Sequence, residues 1–294
     1  MTTRRRFLQA SAVATGAACW AGYGKLFSVQ ASSSPASSRH PVIDCHSHLQ
    51  FHSSPDYQEK DRRLIEAADK LRIDQLCASI LTPKRPASLE GFRQCNAFLV
   101  EGIRRFPGRV LGYCYVNPGY TREAIEEIRR YVGDYGFIGV KLYNEHFADD
   151  PVVFPIVETA QELGVPILHH AGHAHFFNQE QPHISDGARL AALGRRYPEA
   201  TLICAHIGGG GDWEWTIKSL RHARNVFLDT SGSVIDEGMV DMAVRVLGVD
   251  RILFGTDTYM TAGVGKVRAA SLTEDERQKV LGGNMARILA RRKK

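Results

Sequence analysis

The chain has 294 residues, of which 44% are hydrophobic, and a formal net charge of +5 at pH 7. Its basic residues do not cluster on one predicted face, as a nucleic-acid-binding surface requires. Beyond residue 31, no stretch is apolar enough over about 20 residues to span a bilayer. Length, charge and composition therefore argue against a nucleic-acid partner and against a membrane span in the mature protein.

Residues 1–31 are predicted to form a signal peptide of the twin-arginine type. Thr3-Arg4-Arg5-Arg6-Phe7-Leu8-Gln9 carries the arginine pair, an apolar stretch follows it, and Val29-Gln30-Ala31 offers small residues for cleavage. Removal of this segment brings the formal charge close to +1. We expect the twin-arginine export machinery as a partner and a periplasmic or extracellular location. An amphipathic first helix with a basic end is the alternative.

Residues 32–40 are rich in serine and are predicted to be a linker, which leaves residues 41–294 as one domain. The odd number and irregular spacing of the cysteines in this domain argue against a disulfide framework. Most of them lie in apolar, strand-like runs, where a small buried thiol is common. They are Cys45, Cys77, Cys95, Cys114 and Cys204.

After residue 40 the sequence alternates strand and helix patterns eight times. The strand-like runs are apolar on both faces, as in a buried parallel sheet. They are Val42–His46, Gln75–Leu81, Val110–Val116, Phe137–Tyr143, Pro166–His170, Thr201–His206, Val226–Thr230 and Arg251–Phe254. The helix-period segments include Gly91–Arg105, Thr121–Val132, Pro151–Leu163, Asp186–Arg196, Glu237–Leu247 and Thr273–Leu289, the last of which opens with a capping box.

This alternation predicts an α/β fold, a closed (β/α)8 TIM barrel in a single domain. An open doubly wound sheet is the alternative. Such a sheet usually carries a glycine-rich phosphate loop after its first strand, and this chain has His46-Ser47-His48 in that place.

Metal-ligand residue types follow several of the predicted strands. His46 and His48 end the first strand two residues apart and therefore share a face, and Asp44 is a candidate to orient one of them. His206 ends the sixth strand and Asp257 ends the eighth. Because the carboxyl ends of the strands meet at one end of a barrel, these side chains could converge around a divalent metal.

Three positions keep alternatives open. His169 and His170 are adjacent at the end of the fifth strand, so only one of them can enter the barrel. Lys141 ends the fourth strand, where its ammonium could reach the rim, bind a substrate, or be carbamylated and bridge two metals. Asp257 could instead cap the helix that follows it.

These segments resemble the amidohydrolase superfamily over about residues 41–290. The resemblance is to the amidohydrolase-related branch, which includes small metal-dependent hydrolases and aminocarboxymuconate-semialdehyde-type decarboxylases. His169 departs from the pattern, which has an apolar residue there. The matching motifs are Ile43-Asp44-Cys45-His46-Ser47-His48, Gly139-Val140-Lys141-Leu142, Pro166–Gly172, His206-Ile207-Gly208-Gly209, Phe254-Gly255-Thr256-Asp257 and Gly282–Arg287.

The resemblance implies a divalent metal, most often zinc, held by His46, His48, His170 and Asp257. It implies Asp257 and His206 as catalytic residues, with His206 and Lys141 available to a second metal or to the substrate. Three imidazoles and a carboxylate leave an open position for water, which the metal would activate. Asp257 could then act first as a base and later as an acid.

We therefore expect a metal-dependent hydrolase of a small amide, lactone or ester. The alternative is a metal-dependent carboxy-lyase that acts on a small unsaturated acid, for which Lys84 and Arg85 could bind the carboxylate. A metal-binding barrel without activity is a third interpretation. The sequence does not identify the small-molecule substrate, and it is compatible with a homo-oligomer.

Overall fold

The computed structural model describes residues 40–52, 55–172, 181–207 and 213–292. The predicted signal peptide and all of the predicted linker except His40 lie outside these ranges. Within them, no helix combines the length and the apolar character needed to cross a membrane.

Eight parallel strands form one sheet in which each strand pairs with the next along the chain. The first and last strands are joined by backbone hydrogen bonds, from Cys45 N to Phe254 O (2.8 Å) and from Asp257 N to His46 O (2.7 Å). A helix follows each strand, which confirms the predicted (β/α)8 barrel. The strands are β1 (Ile43–His48), β2 (Gln75–Ser79), β3 (Val110–Tyr115), β4 (Gly139–Leu142), β5 (Ile167–His169), β6 (Leu202–Cys204), β7 (Val226–Asp229) and β8 (Ile252–Leu253).

The helices form the outer layer, and several begin at side chains that accept a backbone N–H. Ser88 caps α2, Asp186 caps α5, and Thr273 with Glu276 forms the predicted capping box of α9. The helices are α1 (Tyr57–Lys70), α2 (Leu89–Arg105), α3 (Thr121–Gly133), α4 (Phe154–Leu163), α5 (Gly187–Arg196), α6 (Trp213–Leu220), α7 (Met239–Leu247), α8 (Met260–Ala269), α9 (Glu274–Gln278) and α10 (Asn284–Leu289).

The last predicted helix is divided by a π-helical segment, Lys279–Gly283, between α9 and α10. This segment packs closely against Pro41, two residues before β1. A Cβ atom at Gly282 would lie 1.8 Å from the carbonyl oxygen of Pro41. Glycine is therefore required for the terminal helix to approach the barrel floor.

The core has two apolar clusters, one between the strands and the helices and a smaller one inside the barrel. The inner cluster includes Ile43, Leu168 and Phe227 from the strands and is closed by Met285 and Ile288 of α10. The five cysteines of the domain are free and buried. Their odd number and irregular spacing had predicted no disulfide framework.

Candidate metal centre

A bulge in β1 sets the direction of its ionisable side chains. Asp44 pairs with Leu76 of β2 and Ser47 pairs with Ala78, so β1 places two residues between these pairs where β2 places one. Leu76 belongs to the outer cluster, and Asp44, in register with it, faces the same side. The extra residue reverses the alternation, which lets His46 point into the barrel.

His46, His48 and Asp257 come together at the carboxyl end of the barrel. One potential metal-ligating atom from each residue lies within 4.8 Å of the other two. Among the described residues, these three form the group of candidate metal ligands. Asp257 Oδ1 lies 3.2 Å from His48 Nε2 and 3.7 Å from His46 Nε2. The structure thus brings together three of the four predicted ligands.

The two histidines are held so that their Nε2 atoms face this group. His46 Nδ1 lies 2.9 Å from Asp229 Oδ2, and His48 Nδ1 lies 3.2 Å from the carbonyl oxygen of Ser79. Because each acceptor requires a proton on Nδ1, both Nε2 atoms carry the lone pair that a metal would use, and on His46 a metal would replace the contact with Lys141 Nζ. Two imidazole nitrogens and a carboxylate fit a divalent cation such as zinc.

His170 enters the barrel and His169 does not. Leu168 belongs to the inner cluster, so alternation directs His170 inward and His169 toward the helices. The His170 Nδ1 atom lies 2.9 Å from His206 Nε2, and its Nε2 atom lies 3.2 Å from Gln181 Oε1. In this arrangement His170 is separated from the three-residue group by His206.

His206 and Asp257 adopt a backbone conformation that is uncommon for their residue types. Three of the four non-glycine residues with positive φ in the described ranges follow β6 or β8, namely His206 (64°), Asp257 (49°) and Thr258 (67°). Such strain, of order 1–3 kcal/mol per residue, tends to cluster at functional sites. Asp257 does not cap a helix, because α8 begins at Met260 without a side-chain cap.

Lys141 is fully buried, so the interpretation that its ammonium reaches the rim is wrong. Its Nζ atom lies 2.9 Å from His46 Nε2. With the Nδ1 proton of His46 directed to Asp229, the Nε2 lone pair accepts a hydrogen bond from Lys141. Burial lowers the pKa of Lys141 to about 8.

Asp229, which the sequence analysis did not single out, holds two histidines of this end of the barrel in place. Its carboxylate accepts hydrogen bonds from the His46 ring (2.9 Å), from the His206 backbone N–H (2.9 Å) and from the Ser231 hydroxyl (2.6 Å). Burial opposes ionisation of Asp229, but His46 and the hydrogen bonds hold its pKa well below the usual value. The sequence signal that could have identified Asp229 is its position as an acidic residue at the end of the apolar strand β7.

The expectation that Asp44 orients a histidine ring is wrong. Asp44 accepts hydrogen bonds from the His46 backbone N–H (3.0 Å) and from the Thr256 backbone N–H (3.0 Å) and hydroxyl (2.6 Å). It therefore ties β1 to the segment that follows β8. Burial raises the pKa of Asp44 to about 8.

Lys266 of α8 supports the end of β7, a role that the sequence pattern did not indicate. Its Nζ atom donates to the carbonyl oxygens of Thr230 (2.9 Å), Ser231 (3.3 Å) and Gly232 (2.7 Å). This contact fixes the turn that carries Ser231, whose hydroxyl lies 3.1 Å from His206 Nδ1.

The charge state of the centre suits a cation. Burial, and then the nearby His46, lower the pKa of His206 to about 4, and burial and His206 lower that of His170 well below its usual value. Burial opposes ionisation of Asp257, but the His48 hydrogen bond and the nearby histidines hold its pKa well below the usual value. Neutral imidazoles and an ionised carboxylate at neutral pH are the state that binds divalent metals.

An arginine from the loop after β2 also reaches the barrel mouth. The Arg85 guanidinium lies 3.5 Å above the ring of Tyr143. The Tyr143 ring stacks on His170, with 4.1 Å between centroids. Arg85 is thus linked to His170 through the Tyr143 ring, and its role as a group that binds a carboxylate stays a prediction.

A sequence model of the amidohydrolase family matches residues 43–291. Gamma-resorcylate decarboxylase from a Polaromonas species is 26% identical over 282 residues, which cover 76% of this chain and 85% of the relative. The 2-amino-3-carboxymuconate-6-semialdehyde decarboxylase of Dictyostelium discoideum is 23% identical over 234 residues, which cover 66% of this chain and 65% of the relative.

Solved structures share the fold. A crystal structure of dihydroxybenzoic acid decarboxylase from Polaromonas, with bound manganese and the inhibitor 2-nitroresorcinol, superposes with a TM-score of 0.66 at 22% identity. The superposition covers 85% of this chain and 97% of that one. At this identity the likeness establishes the barrel and not the reaction.

Proposed function

The chain belongs to the amidohydrolase family, and from that premise we propose that it is a metal-dependent carboxy-lyase. Its substrate would be a small unsaturated or aromatic acid, from which it removes carbon dioxide. The two relatives described above are decarboxylases, and this supports a carboxy-lyase better than the first expectation, hydrolysis of an amide, lactone or ester.

The observation that carries the proposal is the presence of two cationic side chains at the carboxyl end of the barrel, one buried inside it and one at its mouth. Lys141 Nζ is buried and lies 2.9 Å from His46 Nε2, and Arg85 lies over Tyr143. A carboxylate in this mouth would gain charge-assisted hydrogen bonds from these cations. A neutral ester or amide would not use them in this way.

Asp257 and His206 are suited to manage the proton of the reaction. Loss of carbon dioxide breaks the bond between the carboxyl carbon and its neighbour, and the electron pair left on that neighbour must take up one proton. Asp257 Oδ2 and His206 Nδ1 lie 3.7 Å apart, beyond hydrogen-bonding distance, so each group would relay a proton from solvent water to the carbon separately. The Ser231 hydroxyl steadies the imidazole.

His46, His48 and Asp257 would hold the divalent cation, and the family resemblance adds His170. When bound, the cation would stabilise negative charge that develops on substrate oxygen. The related structure contains manganese, whereas the sequence leads us to expect zinc. We propose one metal per chain, because His46, His48 and Asp257 form the group of candidate ligands found among the described residues; a second metal at Lys141 and His206 stays a prediction.

The test is turnover by the mature, metal-loaded protein on panels of aromatic acids, unsaturated acids, esters, lactones and amides in deuterated water. We expect release of carbon dioxide and one deuterium at the carbon that lost it. Hydrolysis of an ester, lactone or amide without carbon dioxide release would contradict the proposal. Bound metal without turnover on any panel would favour the metal-binding barrel.

We also propose export through the twin-arginine route, on the basis of residues 1–31, which lie outside the described ranges. Export of folded cargo would let the metal be loaded in the cytoplasm. Replacement of both Arg4 and Arg5 by lysine should keep the full-length chain in the cytoplasm. Export of this variant at the normal level would contradict the proposal.

A further inference from the structure

Glu145 has an unused acceptor in a buried place. It lies in the loop after β4 and is 6% exposed. Its Oε1 atom accepts hydrogen bonds from the Tyr115 hydroxyl and from the Ala87 backbone N–H (3.5 Å), whereas its Oε2 atom has no partner among the described residues. A buried acceptor without a donor costs about 1–3 kcal/mol, and more when it is charged. Such an atom in a folded protein calls for an explanation.

Glu145 is hydrogen-bonded to a side chain on the face of the sheet that carries Lys141. Tyr115 of β3 is in register with Lys141 of β4, so their side chains project to the same face of the sheet. Lys141 reaches His46 from that face. Tyr143, two residues before Glu145, stacks on His170, so the loop that carries Glu145 forms part of the mouth.

One clamp holds Glu145 and the loop of Arg85 together. The Asn117 side-chain amide donates to the carbonyl oxygen of Ala87 (2.7 Å), and the Ala87 N–H donates to Glu145. Ala87 follows Arg85 by two residues, and Arg85 lies over Tyr143. The Arg85 guanidinium and the Glu145 carboxylate are thus held in neighbouring loops before any ligand binds.

A second unpartnered polar atom accompanies Glu145. The Nδ2 atom of the adjacent Asn144, which is 4% exposed, has no acceptor among the described residues. Neighbouring residues therefore leave one donor and one acceptor unpaired where the barrel opens. A polar ligand would satisfy them, and an apolar one would leave them unpaired.

We propose that Glu145 Oε2 is a specificity subsite that accepts a hydrogen bond from an N–H or O–H substituent of the substrate. This inference rests on the proposed carboxy-lyase function and narrows its substrate class to acids with a hydroxyl or amino substituent. A fixed carboxylate repels an anionic substrate unless that substrate presents a donor to it. A hydrogen bond to a charged group discriminates by about 10- to 100-fold against an analogue without the donor.

The test compares substituted benzoates that carry hydroxyl, amino or methoxy groups at each ring position. Their affinities for the metal-loaded protein are measured by calorimetry and their turnover by carbon dioxide release. At one ring position the wild type should bind the hydroxyl or amino compound about 10- to 100-fold more tightly than the methoxy compound. Glu145→Gln should lose most of this preference, because its amide can present a donor in place of Oε2.

Three further variants keep the result decisive. Tyr115→Phe removes a bond to Oε1 and should retain the preference. Glu145→Asp withdraws the carboxylate by one methylene, should reduce the preference, and serves if Glu145→Gln does not fold. Glu127→Gln is the matched control, because Glu127 is buried on α3 and bonded to Asn96, and it should behave as the wild type.

Full preference in both Glu145 variants would overturn the subsite. If the protein releases carbon dioxide and the Glu145 variants keep the preference, the subsite fails and the proposed function stands. If no acid loses carbon dioxide but the binding preference depends on Glu145, the proposed function fails and the subsite stands.

Discussion

The two ends of the barrel interior are built from the same strands but differ in character. Along β5, Leu168 belongs to the apolar inner cluster, and His170 follows two residues later on the same face. Along β7, Phe227 belongs to that cluster, and Asp229 follows in the same way. The amino-terminal end is therefore a packed apolar floor, and the carboxyl-terminal end gathers ionisable groups.

The difference shows where stability is gained and where it is given up. The floor gains free energy from burial of apolar surface. The upper end buries charges that are tolerated only when they are paired, so Asp229 accepts several hydrogen bonds and Lys266 donates to three carbonyl oxygens. Changes at the upper end should thus affect the reaction, and changes at the floor should affect folding.

The largest expected effect is that of Asp257→Asn. Loss of a proton-transferring carboxylate typically costs 10²- to 10⁴-fold in rate, and this one is also a candidate ligand, so we expect kcat to fall about 10³-fold or more. Asp250→Asn, at an exposed position just before β8 on the opposite end of the barrel, is the control. Steady-state kinetics on both variants, with thermal unfolding to verify the fold, would check this. Equal kcat in Asp257→Asn and wild type would remove Asp257 from the mechanism.

His169 and His170 are adjacent at the end of β5, and we expect His169 to support the fold and His170 to support metal binding. His170→Ala should lose metal and activity together, because the family resemblance places a ligand there. His169→Ala, which removes a ring packed under the helices, should mainly lower the unfolding midpoint. Metal analysis and denaturant unfolding would distinguish them. Normal metal content in His170→Ala would refute its assignment as a ligand.

A smaller effect is expected from Asp229→Asn. The carboxylate fixes the tautomer of His46, and loss of such a partner typically weakens metal binding 10- to 100-fold. Competition with a chelator would measure the metal affinity. An unchanged affinity would mean that Asp229 supports the fold alone.

The smallest effect on turnover is expected at the floor. Leu168→Ala removes a buried side chain of the inner cluster and should lower the free energy of unfolding by about 2–5 kcal/mol. The rate per folded molecule should stay within about two-fold of wild type. Urea unfolding and activity of the folded fraction would check both numbers, and a large loss of rate with normal stability would break the contrast between the ends.

The sequence predicted the barrel because apolar strands and helix-period segments alternate regularly, and its strands begin and end within a few residues of the observed ones. It predicted the neighbourhood of His46, His48, His206 and Asp257, because carboxyl ends of parallel strands must meet. It did not predict the β1 bulge, which depends on pairing with β2 and places His46 on the opposite face from Asp44.

The partners of the centre were harder to predict than its ligands. Asp229 and Lys266 act through side-chain directions across strands and helices far apart in the sequence. The same holds for Glu145, whose bond to Tyr115 joins the loop after β4 to the end of β3. Periodicity places a residue on a face, but only packing determines which partner its polar atoms meet.

The most direct measurement of the central claim is an anomalous scattering map of manganese-loaded crystals. We expect one peak per chain, bounded by His46 Nε2, His48 Nε2 and an Asp257 carboxylate oxygen. A peak elsewhere, or none at these three residues under saturating metal, would contradict the assignment of this end of the barrel as a metal centre.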